Sequence, residues 1–188
     1  MKGLGTALIT PFTEEGKVDF PALSQLIEHQ VAGGTDYLVI LGTTSEVPTL
    51  THKEQDIIIE YVVQKVAGRI PLVLGIGGNS TAAVVERIEE LKEQLVAHFA
   101  AILSVTPYYN RPQQEGLYLH FSAVAEASPV PVILYNVPKR TGVNLLPETT
   151  RRIYDAHPGK IMGIKEACNS VEQFTETGNI ANGDFVVI

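Results

Sequence analysis

The sequence is poor in cysteine and in positive charge, and both shortages exclude classes of protein. Its one cysteine, Cys168, rules out an intramolecular disulfide bond, and a reduced cytosolic compartment is the simplest setting. The 14 lysines and arginines are outnumbered by 21 aspartates and glutamates, which gives a net charge of −7. This balance argues against binding nucleic acid or an anionic membrane through bulk electrostatics. It does not exclude the binding of a small anionic substrate, which needs only one or two suitably placed positively charged side chains.

Three sequence patterns are also missing. No cluster of cysteine and histidine has the spacing of a zinc site, and no apolar stretch approaches the ~20 residues that span a bilayer. The N-terminus begins a strand almost at once, without the basic segment and apolar run of a signal peptide. These absences favour a cytoplasmic protein. The composition, 45% hydrophobic and 19% charged, is that of a globular domain, and because no linker divides the sequence we expect one domain over residues 1–188.

Apolar runs that predict β-strands recur along the chain at intervals of about 30 residues, the length of one strand-helix-strand unit. They lie at residues 5–9, 37–41, 71–76, 100–105, 130–135, 161–165 and 185–188. Helical patterns separate them. Asp19 and Thr51 are predicted N-caps of the first two helices, and Leu117, Phe121 and Val124 share one face of the fourth. The strands are nearly continuously apolar, as expected for a parallel sheet that helices cover.

This alternation of strands and helices predicts an α/β fold. We expect a (β/α)8 TIM barrel that is apparently truncated within strand seven, because such a barrel typically takes ~250 residues and eight strands to close. A doubly wound open sheet, which needs no missing piece, is the alternative. In a parallel α/β barrel the active site forms at the C-terminal ends of the strands, so polar residues at those ends are the functional candidates.

Lys165, inside the strand-like run 161–167, is the strongest candidate for chemistry. Alternation along a strand places Ile161, Gly163, Lys165 and Ala167 on one face. Burial among small neighbours disfavours the charged ammonium, so the pKa of Lys165 should fall from ~10.4 towards neutrality. A neutral amine can attack a ketone and form a Schiff base. The alternative is a lysine at a strand end whose amine reaches water.

Polar side chains also follow three other predicted strands. Thr43 and Thr44 follow the second strand, and their hydroxyls either serve a site or cap the loop. Tyr135 ends the fifth strand, where a packed core residue with a satisfied hydroxyl is the alternative to a functional role. Arg140 follows it, and its rigid donors suit a carboxylate, although a solvated loop charge is the common case. The tyrosine pair at 108–109 suggests an interface or a lid.

Three segments of the chain resemble the dihydrodipicolinate synthase / N-acetylneuraminate lyase family of pyruvate-dependent class I aldolases. They are residues 42–44 with Glu46, residues 135–138 with 140–142, and residues 163–167. Their order and their places at predicted strand ends make the resemblance specific, and it runs from residue 3 to residue 188. The family's barrel continues past Ile188 into an eighth strand and a C-terminal helical domain, which we expect to be lacking here.

The resemblance implies a Schiff-base mechanism that uses no metal and no organic cofactor. Lys165 would form an imine with pyruvate, and Tyr135 would be the general acid and base beside it. Thr43 and Tyr109 would complete a hydroxyl relay to solvent, with Tyr109 supplied by a neighbouring subunit. The assembly expected for a full-length family member is a homotetramer built as a dimer of dimers.

The resemblance also implies the substrates. Thr44 would bind the carboxylate of pyruvate. The Arg-Thr-Gly at 140–142 is similar to the branch that condenses pyruvate with aspartate-4-semialdehyde in lysine (diaminopimelate) biosynthesis, so Arg140 would bind the carboxylate of the semialdehyde. Two alternatives remain open. One is a family member that acts on 2-keto-3-deoxy sugar acids or N-acetylneuraminate, and the other is an inactive truncated fragment.

The chain departs from the family pattern at a few positions. Ser45 stands where a glycine is usual, so the loop backbone there is expected to differ slightly. Three residues match the possible allosteric lysine site of the family: His52, Asn79 and Tyr108. However, Val47 stands where a serine is common and Ala83 where a glutamate often lies. A bound lysine would lose a carboxylate partner, so we expect weak or absent inhibition by lysine.

Overall fold

The computed structural model describes residues 2–180 and 185–188. The chain divides into two compact units. The first runs as far as Gly75 and also includes His98–Ala100, and the second comprises Ile76–Ala97 and the chain from Ala101 onward. Both units consist of parallel strands joined through helices.

Among its described residues, the first unit contains three parallel strands and two α-helices. In chain order they are β1 (Gly5–Ala7), α1 (Phe20–Ala32), β2 (Tyr37–Ile40), α2 (His52–Val66) and β3 (Leu72–Gly75). β2 pairs in parallel with β1 on one side and with β3 on the other. Parallel neighbours need a crossover connection, which α1 and α2 supply.

Both helices of the first unit begin at the predicted caps. The side chain of Asp19 accepts a hydrogen bond from the backbone N–H of Ala22 at 2.9 Å. Thr51 and Glu54 form a capping box, in which each side chain accepts from the other residue's backbone N–H. A cap of this kind stabilises a helix by ~1 kcal/mol. The buried faces of the two helices are apolar: Leu23, Ile27, Ile58, Ile59, Val62 and Val66.

Within the described residues, the second unit holds four parallel strands and six α-helices. They are α3 (Thr81–Glu90), α4 (Lys92–His98), β4 (Ala101–Val105), α5 (Gln114–Ala127), β5 (Val132–Asn136), α6 (Pro138–Thr141), α7 (Pro147–Ala156), β6 (Ile161–Glu166), α8 (Val171–Gly178) and β7 (Val186–Val187). β5 pairs with β4 and β6, and β7 pairs with β6. The helix α5 buries Leu117, Phe121, Val124 and Ala125, as the sequence pattern predicts.

The strand register of the second unit sorts its residues into two opposite faces. Val105, Tyr135 and Lys165 are neighbours across β4, β5 and β6, so their side chains share one face. Asn136 and Glu166 are the next register pair, and alternation turns their side chains to the opposite face. The first face carries the predicted chemistry, and the second carries polar side chains that the sequence analysis did not single out.

Gly163 allows β6 and β7 to approach closely. A Cβ at this position would lie 2.2 Å from the carbonyl oxygen of Val186 on β7, a distance that real Cβ atoms do not tolerate. The backbone contact therefore requires glycine.

All seven strands lie within two residues of their predicted bounds. Two helices were not predicted: α4, which follows directly after α3, and the four-residue α6, which was expected to be loop. In the part of the chain that the structure describes, no helix is both long enough and apolar enough to cross a membrane.

Candidate active site

Lys165 and Tyr135 form a contact pair at the C-terminal ends of β6 and β5. They are register partners, and the Lys165 Nζ lies 4.5 Å from the centroid of the Tyr135 ring. Lys165 is half-buried, whereas Tyr135 is only 7% exposed. The sequence analysis picked out both residues, and the structure brings them together at adjacent strand ends.

Burial lowers the pKa of the Lys165 amine, in the direction that the sequence predicts. The Tyr135 ring works against this, because a cation over an aromatic face is stabilised by about 0.5–1 kcal/mol. Desolvation, which lowers the pKa, increases the share of neutral, nucleophilic amine.

The hydroxyl of Tyr135 has no hydrogen-bond partner among the described residues. A buried tyrosine normally satisfies its hydroxyl with a hydrogen bond, which is the structural alternative to a functional role for Tyr135. Because that hydrogen bond is missing within the described residues, the phenol is free to donate or accept a proton at the same strand ends as the amine. The pair thus combines a nucleophile with a potential general acid and base.

Arg140 lies on α6, directly after β5. Pro138 begins this short helix, and Gly142 ends it in the left-handed conformation with φ of 72°. The hydroxyl of Thr141 donates to the carbonyl oxygens of Val137 and Val143, which fixes the turn. The side chain of Arg140 is exposed and has no ion pair or hydrogen bond within the described residues. A free guanidinium on a rigid turn can bind a carboxylate in a bidentate manner.

The loop after β4 carries the predicted tyrosine pair in a strained backbone. Tyr109 has φ of 72° and is 88% exposed, and Arg111 has φ of 47°. Left-handed conformations are uncommon for residues other than glycine, and they cluster at functional sites. The Arg111 side chain packs against Gly142, because a Cβ added at Gly142 would lie 2.6 Å from the Arg111 Nε. This contact joins the loop to the turn that carries Arg140.

Thr43 and Thr44 lie in the first unit, in a 3-10 turn that follows β2. Both side chains are exposed, and neither hydroxyl has a hydrogen-bond partner in the residues that the structure describes. The alternative that these hydroxyls cap the loop is therefore wrong. The neighbouring Ser45 holds the turn instead, because its hydroxyl donates to the Leu8 carbonyl at 2.6 Å and its carbonyl accepts from Thr10.

The predicted lysine-binding residues are divided between the two units. His52 is the exposed first residue of α2 in the first unit. In the second unit, Asn79 is exposed and its carbonyl accepts a hydrogen bond from the Asn110 side chain at 3.0 Å, and Tyr108 is 36% exposed. Among the described residues, no group of three or more His, Cys, Asp and Glu side chains could hold a metal ion.

Parallel strands in chain order, with candidate functional residues at their C-terminal ends, are the arrangement of enzymes built on a (β/α)8 barrel. The model of the dihydrodipicolinate synthetase family matches residues 1–188, and the chain belongs to this family. The predicted membership is thus confirmed.

Individual relatives agree with this membership. The chain is 52% identical over 176 residues to a 4-hydroxy-tetrahydrodipicolinate synthase from Parabacteroides distasonis, a match that covers 94% of this chain and 58% of the relative. It is similar in structure to the 4-hydroxy-tetrahydrodipicolinate synthase from Methylacidiphilum fumariolicum SolV, with a TM-score of 0.93 and 38% identity over 100% of this chain and 61% of the other.

A third comparison involves a ligand complex. The structure of the chloride-inhibited dihydrodipicolinate synthase from Acinetobacter baumannii in complex with pyruvate matches with a TM-score of 0.91 and 40% identity, over 98% of this chain and 62% of that one. These matches confirm the predicted fold class, a truncated (β/α)8 barrel. The chain spans about 60% of the length of the relatives it matches.

Proposed function

We propose that the chain carries the catalytic machinery of a class I lyase that condenses pyruvate with L-aspartate-4-semialdehyde to 4-hydroxy-tetrahydrodipicolinate. The observation that carries the proposal is the Lys165–Tyr135 pair, in which a half-buried amine with a lowered pKa lies 4.5 Å from a tyrosine ring. The names of the relatives support the choice of reaction, and the complex of one of them with pyruvate supports the choice of first substrate.

In the proposed mechanism, the neutral Nζ of Lys165 attacks the C2 carbonyl of pyruvate. Loss of one water gives an iminium, which withdraws electrons and acidifies the methyl group. A proton then leaves that methyl group, and the resulting enamine carbon adds to the aldehyde carbon of the semialdehyde. The amino group of the second substrate finally attacks C2, closes the ring and releases Lys165 as the free amine. The net products are the cyclic hydroxy acid and one water.

Each of these steps moves protons, and hydroxyl groups are the proposed carriers. Tyr135 is the proposed acid and base at the amine, because its ring contacts Lys165 and its hydroxyl has no hydrogen-bond partner within the described residues. For Thr43 and Tyr109 the relay role rests on the family resemblance, together with their exposure. Tyr109 is proposed to act in a neighbouring subunit of a homotetramer, for which its exposed side chain is suited.

The two carboxylates of the substrates need separate binding groups. Thr44 is proposed to bind the carboxylate of pyruvate through its free hydroxyl and its backbone N–H. Arg140 is proposed to bind the carboxylate of the semialdehyde, since its exposed guanidinium has no partner within the described residues. We further propose a cytoplasmic location, and an allosteric lysine site at His52, Asn79 and Tyr108 through which lysine inhibits weakly or not at all.

Borohydride trapping tests the proposed function directly. The 188-residue chain is incubated with pyruvate and sodium borohydride, digested and analysed by peptide mass spectrometry. A reduced pyruvate adduct on Lys165 is expected, and it should be absent in Lys165→Met and unchanged in Lys53→Ala, which removes an exposed lysine on α2. A cooperatively folded chain without an adduct on Lys165 would overturn the proposal.

A further inference from the structure

Behind the Lys165–Tyr135 pair, a second pair of side chains joins the same two strands. Asn136 and Glu166 are the register partners that follow Tyr135 and Lys165, on the opposite face of the sheet. The Asn136 Nδ2 donates to the Glu166 Oε1 at 2.9 Å, and Asn136 is fully buried. The contact therefore connects β5 to β6 one residue beyond the candidate catalytic pair.

The Glu166 carboxylate is satisfied by three donors. Besides Asn136, the backbone N–H of Cys168 donates to Oε1 at 3.0 Å, and the Gln173 Nε2 donates to Oε2 at 3.1 Å. Hydrogen bonds to an ionised acceptor are shorter and stronger than neutral ones. A half-buried carboxylate with this many donors is held in one position, and its own strand end is held with it.

The same hydrogen bonds reach the segment that follows Arg140. The Asn136 Nδ2 also donates to the Asn144 Oδ1 at 2.8 Å, and the Asn136 Oδ1 accepts from the Leu145 backbone N–H at 3.0 Å. The Asn144 Nδ2 donates in turn to the Gln173 Oε1 at 2.8 Å. We call these four residues, Asn136, Asn144, Glu166 and Gln173, the rear network. It connects the ends of β5 and β6, the chain after α6 and the helix α8.

We propose that Asn136 and Glu166 are positioning residues, which hold the ends of β5 and β6 at the spacing where Tyr135 meets Lys165 and keep water away from the amine. This inference rests on the proposed function of that pair. Neither residue faces the reacting groups, so their effect must pass through the strands. Because Lys165 and Glu166 are consecutive, a small displacement of Glu166 displaces the lysine as well.

Competitive labelling of amines with acetic anhydride over a pH range tests the proposal without any substrate. The reactivity of Lys165, measured by mass spectrometry relative to the exposed Lys53 in the same sample, reports the fraction of neutral amine. In Glu166→Gln and Asn136→Leu, water should reach Lys165, so its labelling midpoint should rise and its reactivity relative to Lys53 at pH 7.5 should fall. The matched control is Glu176→Gln, which removes an exposed carboxylate on α8.

A rescue variant separates positioning from general stability. In Glu166→Gln the new amide presents a donor to the Gln173 donor, whereas the rescue variant Glu166→Asp keeps a carboxylate that accepts hydrogen bonds. We expect Glu166→Asp to stay closer to the wild-type midpoint of Lys165 than Glu166→Gln does. If the single variants lower the melting temperature but leave that midpoint unchanged while folded, the network is only structural and the proposal is overturned.

The pyruvate adduct is trapped in parallel on the same variants. A wild-type chain with a low labelling midpoint but no adduct would refute the proposed function and leave the positioning inference standing. An adduct that forms at the wild-type rate in Glu166→Gln and Asn136→Leu, with an unchanged midpoint, would refute the positioning inference alone. Should Asn136→Leu fail to fold, the nearly isosteric Glu166→Gln and its rescue variant decide the question.

Discussion

His120 should make the stability of the chain fall steeply below neutral pH. The residue lies on α5 and is only 2% exposed, with its Nδ1 2.9 Å from the Thr81 hydroxyl and its ring edge-on to Phe121. The Nε2 is buried, with no hydrogen-bond partner in the described residues. Protonation would place a cation in this apolar site, and burial accordingly lowers the pKa of His120 from 6.5 to about 4.

The size of the effect follows from linkage. Between pH 6.5 and pH 4 the unfolded chain binds a proton at this histidine that the folded chain does not bind, so the free energy of unfolding decreases as the pH falls. At 1.36 kcal/mol per pKa unit, His120 lowers the free energy of unfolding by about 2 kcal/mol at pH 5 and by about 3 kcal/mol below pH 4, relative to neutral pH. No discount for solvent screening applies, because the side chain is almost completely buried.

Urea unfolding at pH 7 and pH 5, followed by circular dichroism, measures this loss. The wild-type chain should lose about 2 kcal/mol more between the two pH values than His120→Gln, which cannot titrate at this position. The control His98→Gln removes an exposed histidine and should retain the wild-type pH dependence. A nuclear magnetic resonance titration of the wild-type chain that placed the His120 midpoint near 6.5 would refute the reasoning, whatever the fate of the variants.

Three further predictions concern the candidate site. Arg140→Ala should abolish turnover with aspartate-semialdehyde in a steady-state assay but leave borohydride trapping of pyruvate on Lys165 intact, because the proposed role of the guanidinium is to bind the second substrate only. Unchanged turnover would exclude a role in substrate binding. Gly163→Ala should lower the melting temperature by several degrees or prevent folding, because its Cβ would lie 2.2 Å from the Val186 carbonyl oxygen; an unchanged melting curve would contradict the close strand approach. Lysine should inhibit weakly, owing to Val47 and Ala83, so half-inhibition at sub-millimolar lysine would be the contrary result.

The positions of the strands and most helices could be predicted because the signals that define them are local. The capping residues Asp19 and Thr51 and the apolar stripe of α5 are all encoded within a few neighbouring residues. The helix α4 was missed because it has seven residues and buries Leu95 alone among them, and one buried position gives no periodicity to recognise. The short α6 was missed for a similar reason, since four residues hold a single turn.

The candidate residues could be named from the sequence, but their contacts could not. The period of a strand assigns Lys165 and Tyr135 each to one face of its own strand, whereas their contact depends on a register that pairs residues 30 positions apart. Likewise, nothing in the sequence indicates whether the hydroxyls of Thr43 and Tyr135 are satisfied. That depends on which neighbours the fold brings near, and among the described residues it brings none within hydrogen-bond reach.

The rear network explains why the residues that matter for the site occur as one adjacent pair on β5 and one adjacent pair on β6. Along a strand, consecutive side chains point to opposite faces, so Tyr135 and Asn136 serve different sides of β5, as Lys165 and Glu166 do on β6. In parallel strands with this register, a reactive pair on one face is necessarily backed by a second pair on the other. When that second pair is hydrogen-bonded, the strands cannot slip or separate without breaking it. If Asn136 and Glu166 act as proposed, the residues that support the half-buried Lys165 amine therefore lie next to the catalytic pair in sequence and behind it in space.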